Sequence, residues 1–216
     1  MNRLQKTQIT ENKYLGNGTY YMSFPRQFSF VAGQSVGITT DSGLSPRLYS
    51  LASGEQNQQA SVLYKVVNDG QLTPRLAALK AGNTIYIQNP SGDFRCHSKP
   101  SVWIAAGTGI APFLSMLKSG KELPELFLQG ASLPDELWFH TFFEEKLGER
   151  YLPCVTRQAV SNGFHGRVTE WLVDQPSFNP DIRYYLCGRA EMVVDARDIL
   201  INKGVKFTSI FSEIYF

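Results

Sequence analysis

The chain has 216 residues, 43% of them hydrophobic and 19% charged, with a formal net charge of +2. That length buries one large core or two modest ones, and the composition is that of an ordinary globular protein rather than a disordered or membrane-spanning one. No stretch approaches the ~20 apolar residues of a membrane span, and Met1 to Lys6 lack the apolar run of a secretory signal, so a cytoplasmic location is expected.

The first half reads as short strands separated by turn residues. Thr19 to Phe24, Ser35 to Thr39, Leu48 to Leu51, Ala60 to Val67 and Thr84 to Gln88 are β-branched or aromatic runs bounded by Gly and Pro. This spacing predicts an antiparallel β-barrel or sandwich. One helix interrupts it at Pro74 to Leu79, closed by Gly82. After Pro100 strands and helices alternate. Strand-like Val102 to Ala106 precedes a helical Pro112 to Leu117, and Glu125 to Gln129 precedes Leu137 to Leu147. Cys154 to Thr156 precedes Val168 to Leu172, Arg183 to Cys187 precedes Glu191 to Ile201, and Lys206 to Phe211 forms a last strand. Such alternation predicts a parallel sheet with helical crossovers. The expected division is a β-barrel domain over 1–97 and an α/β domain over 98–216.

Charge is uneven across that division: residues 1–97 carry nine Lys/Arg against five Asp/Glu, and residues 98–216 twelve against fourteen. A mildly basic front half can steer an acidic protein partner, although a solvated surface gives the same count. Without a dense basic stripe, nucleic-acid binding is not expected. Cys96, Cys154 and Cys187 lie far apart, and Cys96-His97 has no further ligand at metal-site spacing, so neither a disulfide framework nor a metal site is expected.

Three segments carry chemistry. Gly107-Thr108-Gly109-Ile110-Ala111-Pro112 follows a buried strand and opens a helix, where glycines let a backbone approach a phosphate and the helix N-terminus supplies donors. Pro112 stands where the dinucleotide fingerprint has its third glycine, and a tight turn without ligand would read the same. Gly70-Gln71-Leu72-Thr73-Pro74 is a second candidate anion site, with Thr73 as a natural N-cap and Pro74 in the first helical position, though capping alone explains both. In Arg47-Leu48-Tyr49-Ser50, strand alternation puts Arg47 and Tyr49 on one face, where a guanidinium can clamp a phosphate and a ring can stack on a ring system.

Taken in order with Cys187-Gly188 and the terminal Glu213-Ile214-Tyr215-Phe216, these segments resemble the ferredoxin (flavodoxin)–NADP reductase family, in its compact bacterial type. The resemblance implies a two-domain fold: an antiparallel β-barrel for FAD and a parallel α/β domain for NADP(H). It implies that Arg47 contacts the FAD pyrophosphate with Thr73 and the backbone of Gln71 and Leu72. Tyr49 would stack on one isoalloxazine face, with Leu48 in the same strand and Ser50 near the flavin N5. Tyr64, Lys65 and Val66 would lie along the flavin and ribityl chain. Thr108, between Gly107 and Gly109, would pass near both cofactors, and Cys187 and Gly188 would shape the nicotinamide pocket. Glu213 matches a proton-relay carboxylate. Tyr215 would cover the other flavin face and Phe216 stack on the adenine. Thr156, Arg157 and Arg167 match positions that hold the nicotinamide nucleotide, the two arginines on its 2′-phosphate.

The implied activity is hydride transfer from NADPH to FAD, then single-electron transfer to ferredoxin or flavodoxin, an acidic acceptor docking near Lys65, Arg75 and Lys80, by a monomer. Alternatives are an NAD(P)H:flavin reductase that treats flavin as a diffusing substrate, the reductase component of an oxygenase, and a nucleotide-binding sensor without turnover.

Overall fold

A computed structural model describes residues 4–96 and 100–215. Contacts divide the described residues into two compact units. Unit 1 takes those up to Cys96 together with Ala111–Lys121, and the remainder form unit 2.

Unit 1 contains β1 (Gln5–Gln8), β2 (Glu11–Gly16), β3 (Thr19–Pro25), β4 (Ser35–Thr39), β5 (Arg47–Ser50), β6 (Gln59–Lys65) and β7 (Thr84–Ile87). They form two antiparallel sheets, ordered β1-β7-β4-β5 and β2-β3-β6, joined by a bridge between Leu51 and Val62. The period of two explains the core: Met22 and Phe24, Val36 and Ile38, and Ile85 and Ile87 are alternate residues that are all buried. Each such side chain contributes about 1.5–3 kcal/mol when fully buried. The sequence reading omits β1 and β2, whose Gln5-Lys-Thr-Gln8 and Glu11-Asn-Lys13 are polar. Their backbones are recruited by β7 and β3, through register pairs such as Lys6 with Tyr86 and Lys13 with Tyr21.

Helix α1 (Thr73–Ala78) lies in unit 1, and so by its contacts does α2 (Ala111–Lys118), which chain order puts in the second half. The Phe113 ring meets Phe94 edge-on at 5.7 Å, and Ser115 Oγ donates to the Ser53 carbonyl at 2.7 Å. Just beyond the helix, Lys121 Nζ lies 2.8 Å from Glu55 Oε1.

Unit 2 is a parallel sheet of β8 (Ser101–Ala106), β9 (Leu126–Ala131), β10 (Tyr151–Val155), β11 (Phe164–His165), β12 (Arg183–Arg189) and β13 (Ile210–Tyr215), ordered β11-β10-β9-β8-β12-β13. Its helices are α3 (His140–Leu147), α4 (Val168–Asp174) and α5 (Ala190–Asn202). On α5, Val193, Ala196 and Leu200 turn one buried stripe to the sheet. From β8 the chain steps outward through β9 and β10, then returns to place β12 on the other side of β8, so the order reverses between β8 and β12. In such sheets ligands bind outside the carboxyl ends of the strands at that reversal. The last strand differs from expectation: Phe207–Ser209 is a 3-10 turn, and β13 begins at Ile210 and carries the terminal Glu213 and Tyr215. Among the described residues no helix is long and apolar enough to cross a membrane.

Candidate active site

In unit 1, β5 is an edge strand of its sheet and pairs with β4, placing Tyr49 opposite Val36 and Ser50 opposite Ser35. Arg47 and Leu48 are exposed, Tyr49 is half-buried and Ser50 is buried, its Oγ 3.2 Å from Ser35 Oγ. The Tyr49 ring meets Tyr64 edge-on at 6.2 Å. Burial pushes the Tyr49 phenol up to about 12, against the opposing charge of Arg47. Tyr64 is buried at the end of β6 and donates to Asn12 Oδ1 at 3.0 Å, while Lys65 and Val66 beyond it are half-buried.

The loop from Val67 to α1 corrects one expectation. Thr73 does not cap the helix: Leu72 holds the N-cap position with no side-chain cap, and Pro74 follows Thr73 in the first turn. The Thr73 hydroxyl instead accepts the Val67 N–H at 2.9 Å and closes the loop on itself. The same turn is held by the Gly70 N–H, which donates to the Val67 carbonyl at 2.8 Å. The first turn of α1 thus carries no side-chain cap. The exposed Arg47 guanidinium is by itself a donor-only group, the chemistry an anionic phosphate takes. Sequence reasoning missed Asn12, whose Nδ2 donates at 2.9 Å to both the Leu76 and Leu79 carbonyls and so fixes the far end of α1.

In unit 2 the strand-order reversal brings Gly107–Gly109 against Cys187-Gly188. A Cβ on Gly109 would clash with the carbonyl carbon and oxygen of Cys187, whereas one on Gly107, at φ +59°, would meet open space. Gly109 thus serves backbone packing and Gly107 leaves an accessible backbone, with half-buried Thr108 between them. Gly188 packs less tightly, a Cβ there lying 3.0 Å from the Ala106 carbonyl oxygen. The β12–β13 register sets Cys187 opposite Glu213 and Arg189 opposite Tyr215. The Cys187 thiol is fully buried and pushed well up by burial, with Glu213 adding to the rise and a side-chain hydrogen bond to Tyr215 opposing it. It stays a neutral thiol at ordinary pH.

Thr156 and Arg157 leave the carboxyl end of β10, their N–H groups donating to Ala131 and Ser132 at 3.3 and 3.0 Å. Gly166 N–H donates to the Val155 carbonyl at 3.0 Å, so the backbone before Arg167 runs beside the same strand end. The Arg167 N–H is held by Glu170 Oε2 at 2.7 Å at the start of α4. All three side chains are exposed. Phe216 lies outside the described residues.

Residues 8–96 match the oxidoreductase FAD-binding domain and residues 103–198 the oxidoreductase NAD-binding domain. Ferredoxin–NADP reductase A of Sorangium cellulosum is 30% identical over 210 residues, covering 82% of this chain and 74% of that protein. The chain belongs to the ferredoxin/flavodoxin–NADP reductase family. With that membership come FAD and NADP(H) as cofactors and oxidoreductase chemistry. The flavodoxin/ferredoxin–NADP reductase of Escherichia coli is 28% identical over 193 residues, 78% of this chain and 77% of that protein. A ferredoxin–NADP⁺ reductase from Neisseria gonorrhoeae, solved with bound FAD and NADP, is 26% identical, with a TM-score of 0.88 over 100% of both chains. Electron-transfer components of oxygenases are related to this reductase as well.

Proposed function

We propose that this reductase passes electrons between NADP(H) and a small ferredoxin or flavodoxin, with FAD held by residues 1–97 and NADP(H) by residues 98–216. Bound FAD supplies the exchange between a two-electron hydride and single electrons, and the chain supplies binding and orientation. Arg47 and the backbone of Gln71, Leu72 and Thr73 hold the FAD pyrophosphate. Tyr49 gives the flavin a stacking face, Leu48 and Ser50 flank it, and Tyr64, Lys65 and Val66 line the ribityl side. Gly107, Thr108 and Gly109 with Cys187 and Gly188 receive the nicotinamide half. Thr156, Arg157 and Arg167 hold the nucleotide, with the two guanidinium groups on the 2′-phosphate. Tyr215 covers the second flavin face, and Glu213 relays the proton.

The observation that supports this most is the meeting of Gly109, Cys187, Glu213 and Tyr215 at the carboxyl ends of β8, β12 and β13. A neutral thiol there can touch a nicotinamide ring without adding charge. Tyr215 belongs to an edge strand, so moving it aside breaks its pairing with β12 and its hydrogen bond to Cys187. On the basic front half, Arg75 and Lys80 are exposed and Lys65 half-buried, a surface for an acidic acceptor. The working form is a cytoplasmic monomer.

Anaerobic mixing of the purified protein with NADPH or NADH tests the reading. The expected result is a yellow protein whose flavin bleaches with NADPH faster than with NADH. A colourless protein after gentle purification would favour a flavin reductase, and bound FAD that neither nucleotide bleaches would overturn the assignment.

A further inference from the structure

Strand register in unit 1 lines up three tyrosines. Tyr14 of β2 pairs with Tyr20 of β3, and Tyr20 pairs with Tyr64 of β6. The Tyr14 and Tyr20 rings are 5.1 Å apart between centroids, and Tyr20 stacks on Tyr64 at 5.3 Å and 8°. Tyr64 in turn meets Tyr49 at 6.2 Å, so four phenols are in continuous ring contact from the β5 strand outward. Tyr49, Tyr64 and Tyr20 are buried or half-buried, and Tyr14 is 57% exposed. Cross-strand aromatic pairs contribute roughly 0.2–1 kcal/mol each, a gain phenylalanine would provide as well. Beyond the hydrogen bonds of the Tyr64 and Tyr14 hydroxyls, what phenol adds is one-electron redox chemistry.

We propose that Tyr49, Tyr64, Tyr20 and Tyr14 form a relay that carries an oxidising equivalent from the flavin-facing ring to the protein surface. The inference rests on the reading that the flavin stacks on Tyr49. The oxidant is the photoexcited oxidised flavin, because the ground-state ring is too weak to oxidise a phenol. One electron leaves Tyr49 for that ring; Tyr64 then refills Tyr49, Tyr20 refills Tyr64 and Tyr14 refills Tyr20. Tyr14 releases its phenolic proton to water, and a small thiol or ascorbate restores it by giving one electron and one proton. The net change is one electron moved from an external reductant to the flavin and one proton from that reductant to water.

The proton decides where the relay ends. The Tyr64 hydroxyl donates to Asn12 Oδ1, an amide oxygen too weakly basic to accept a proton. Burial raises the Tyr49 and Tyr64 phenols, so both are neutral phenols before oxidation. Tyr14 faces water, and its oxygen accepts the Gly18 N–H at 3.3 Å, a donor that supports the oxygen once the proton has left.

The test illuminates the anaerobic FAD-loaded protein with blue light in the presence of a nitrone spin trap and locates the adduct by peptide mass spectrometry. The wild-type adduct is expected on Tyr14. It is lost in Tyr20→Phe and retained in Tyr20→Trp, whose indole is also oxidisable. Dark flavin bleaching by NADPH and the unfolding midpoint stay unchanged in Tyr20→Phe, which separates the relay from packing. An undiminished Tyr14 adduct in Tyr20→Phe would overturn the proposal, since the oxidant would then arrive through solvent. So would the absence of any wild-type adduct when Tyr49→Phe brightens the flavin fluorescence. Flavin fluorescence indifferent to Tyr49→Phe would instead locate the failure in the stacking on Tyr49, and the relay would fall with it.

Discussion

A Cβ placed on Gly109 would lie 2.2 Å from the carbonyl oxygen of Cys187. The turn after β8 and the end of β12 are in backbone contact at the point where the strand order reverses, and no side chain fits between them. Gly109→Ala must push the turn off β12, and overpacking of this kind costs about 1–3 kcal/mol. The expected outcome is a lower unfolding midpoint together with a raised KM for NADPH. Gly107→Ala faces open space and carries only the penalty of its positive φ, about 1–2 kcal/mol. Equal NADPH kinetics in Gly109→Ala and wild type would show that the contact does not shape the nucleotide site.

Stability should fall at alkaline pH. Burial moves the Cys154 thiol from its ordinary 9.0 to about 12, and the Tyr184 phenol from 10.0 to about 12. The unfolded chain loses these protons first, so the native state's advantage is complete below 9.0 and declines as pH rises toward 12. Urea midpoints should be flat from neutrality to 9.0 and fall above it. Cys154→Ala should show a shallower decline at its onset, although buried Cys187 still contributes. A midpoint that rose above 9.0 would contradict the burial of these groups.

Selectivity for NADPH should reside in Arg157 and Arg167. A hydrogen bond to a charged group contributes about 1.5–3 kcal/mol, and the exposure of both side chains favours the lower end. Each Arg→Ala change should raise the KM for NADPH roughly tenfold and leave that for NADH unaltered. Equal losses with both nucleotides would place the arginines elsewhere than on the 2′-phosphate.

Asn12→Ala should loosen the FAD side of unit 1 from a distance. The change deletes two donors to α1 carbonyls and strands the Tyr64 hydroxyl, an effect of about 1–3 kcal/mol for each group left unsatisfied. A lower unfolding midpoint and faster FAD loss on dilution are expected, with the KM for NADPH little changed.

Arg75→Glu tests the docking surface. Turnover with ferredoxin or flavodoxin should drop at low ionic strength and converge with wild type at high salt, while flavin bleaching by NADPH is unchanged. Identical turnover at both salt concentrations would remove Arg75 from the interface.

Some of this molecule is legible one segment at a time. Alternating apolar residues announce β3, β4 and β7, and the buried run at Val102 to Ala106 followed by Gly107 and Gly109 announces the turn into α2. Arg47-Leu-Tyr-Ser50 and Glu213-Ile-Tyr-Phe216 carry the family resemblance without any coordinates. Periodicity and backbone freedom are properties of neighbouring residues, so sequence suffices for them. Polar β1 and β2 became strands only because β7 and β3 offered pairing edges. Thr73 turned to Val67 rather than its own helix, and Asn12 reached across 64 residues to Leu76. The tyrosine row exists only because two strand registers agree. Such features depend on which backbone group arrives opposite which side chain, and tertiary packing alone decides that.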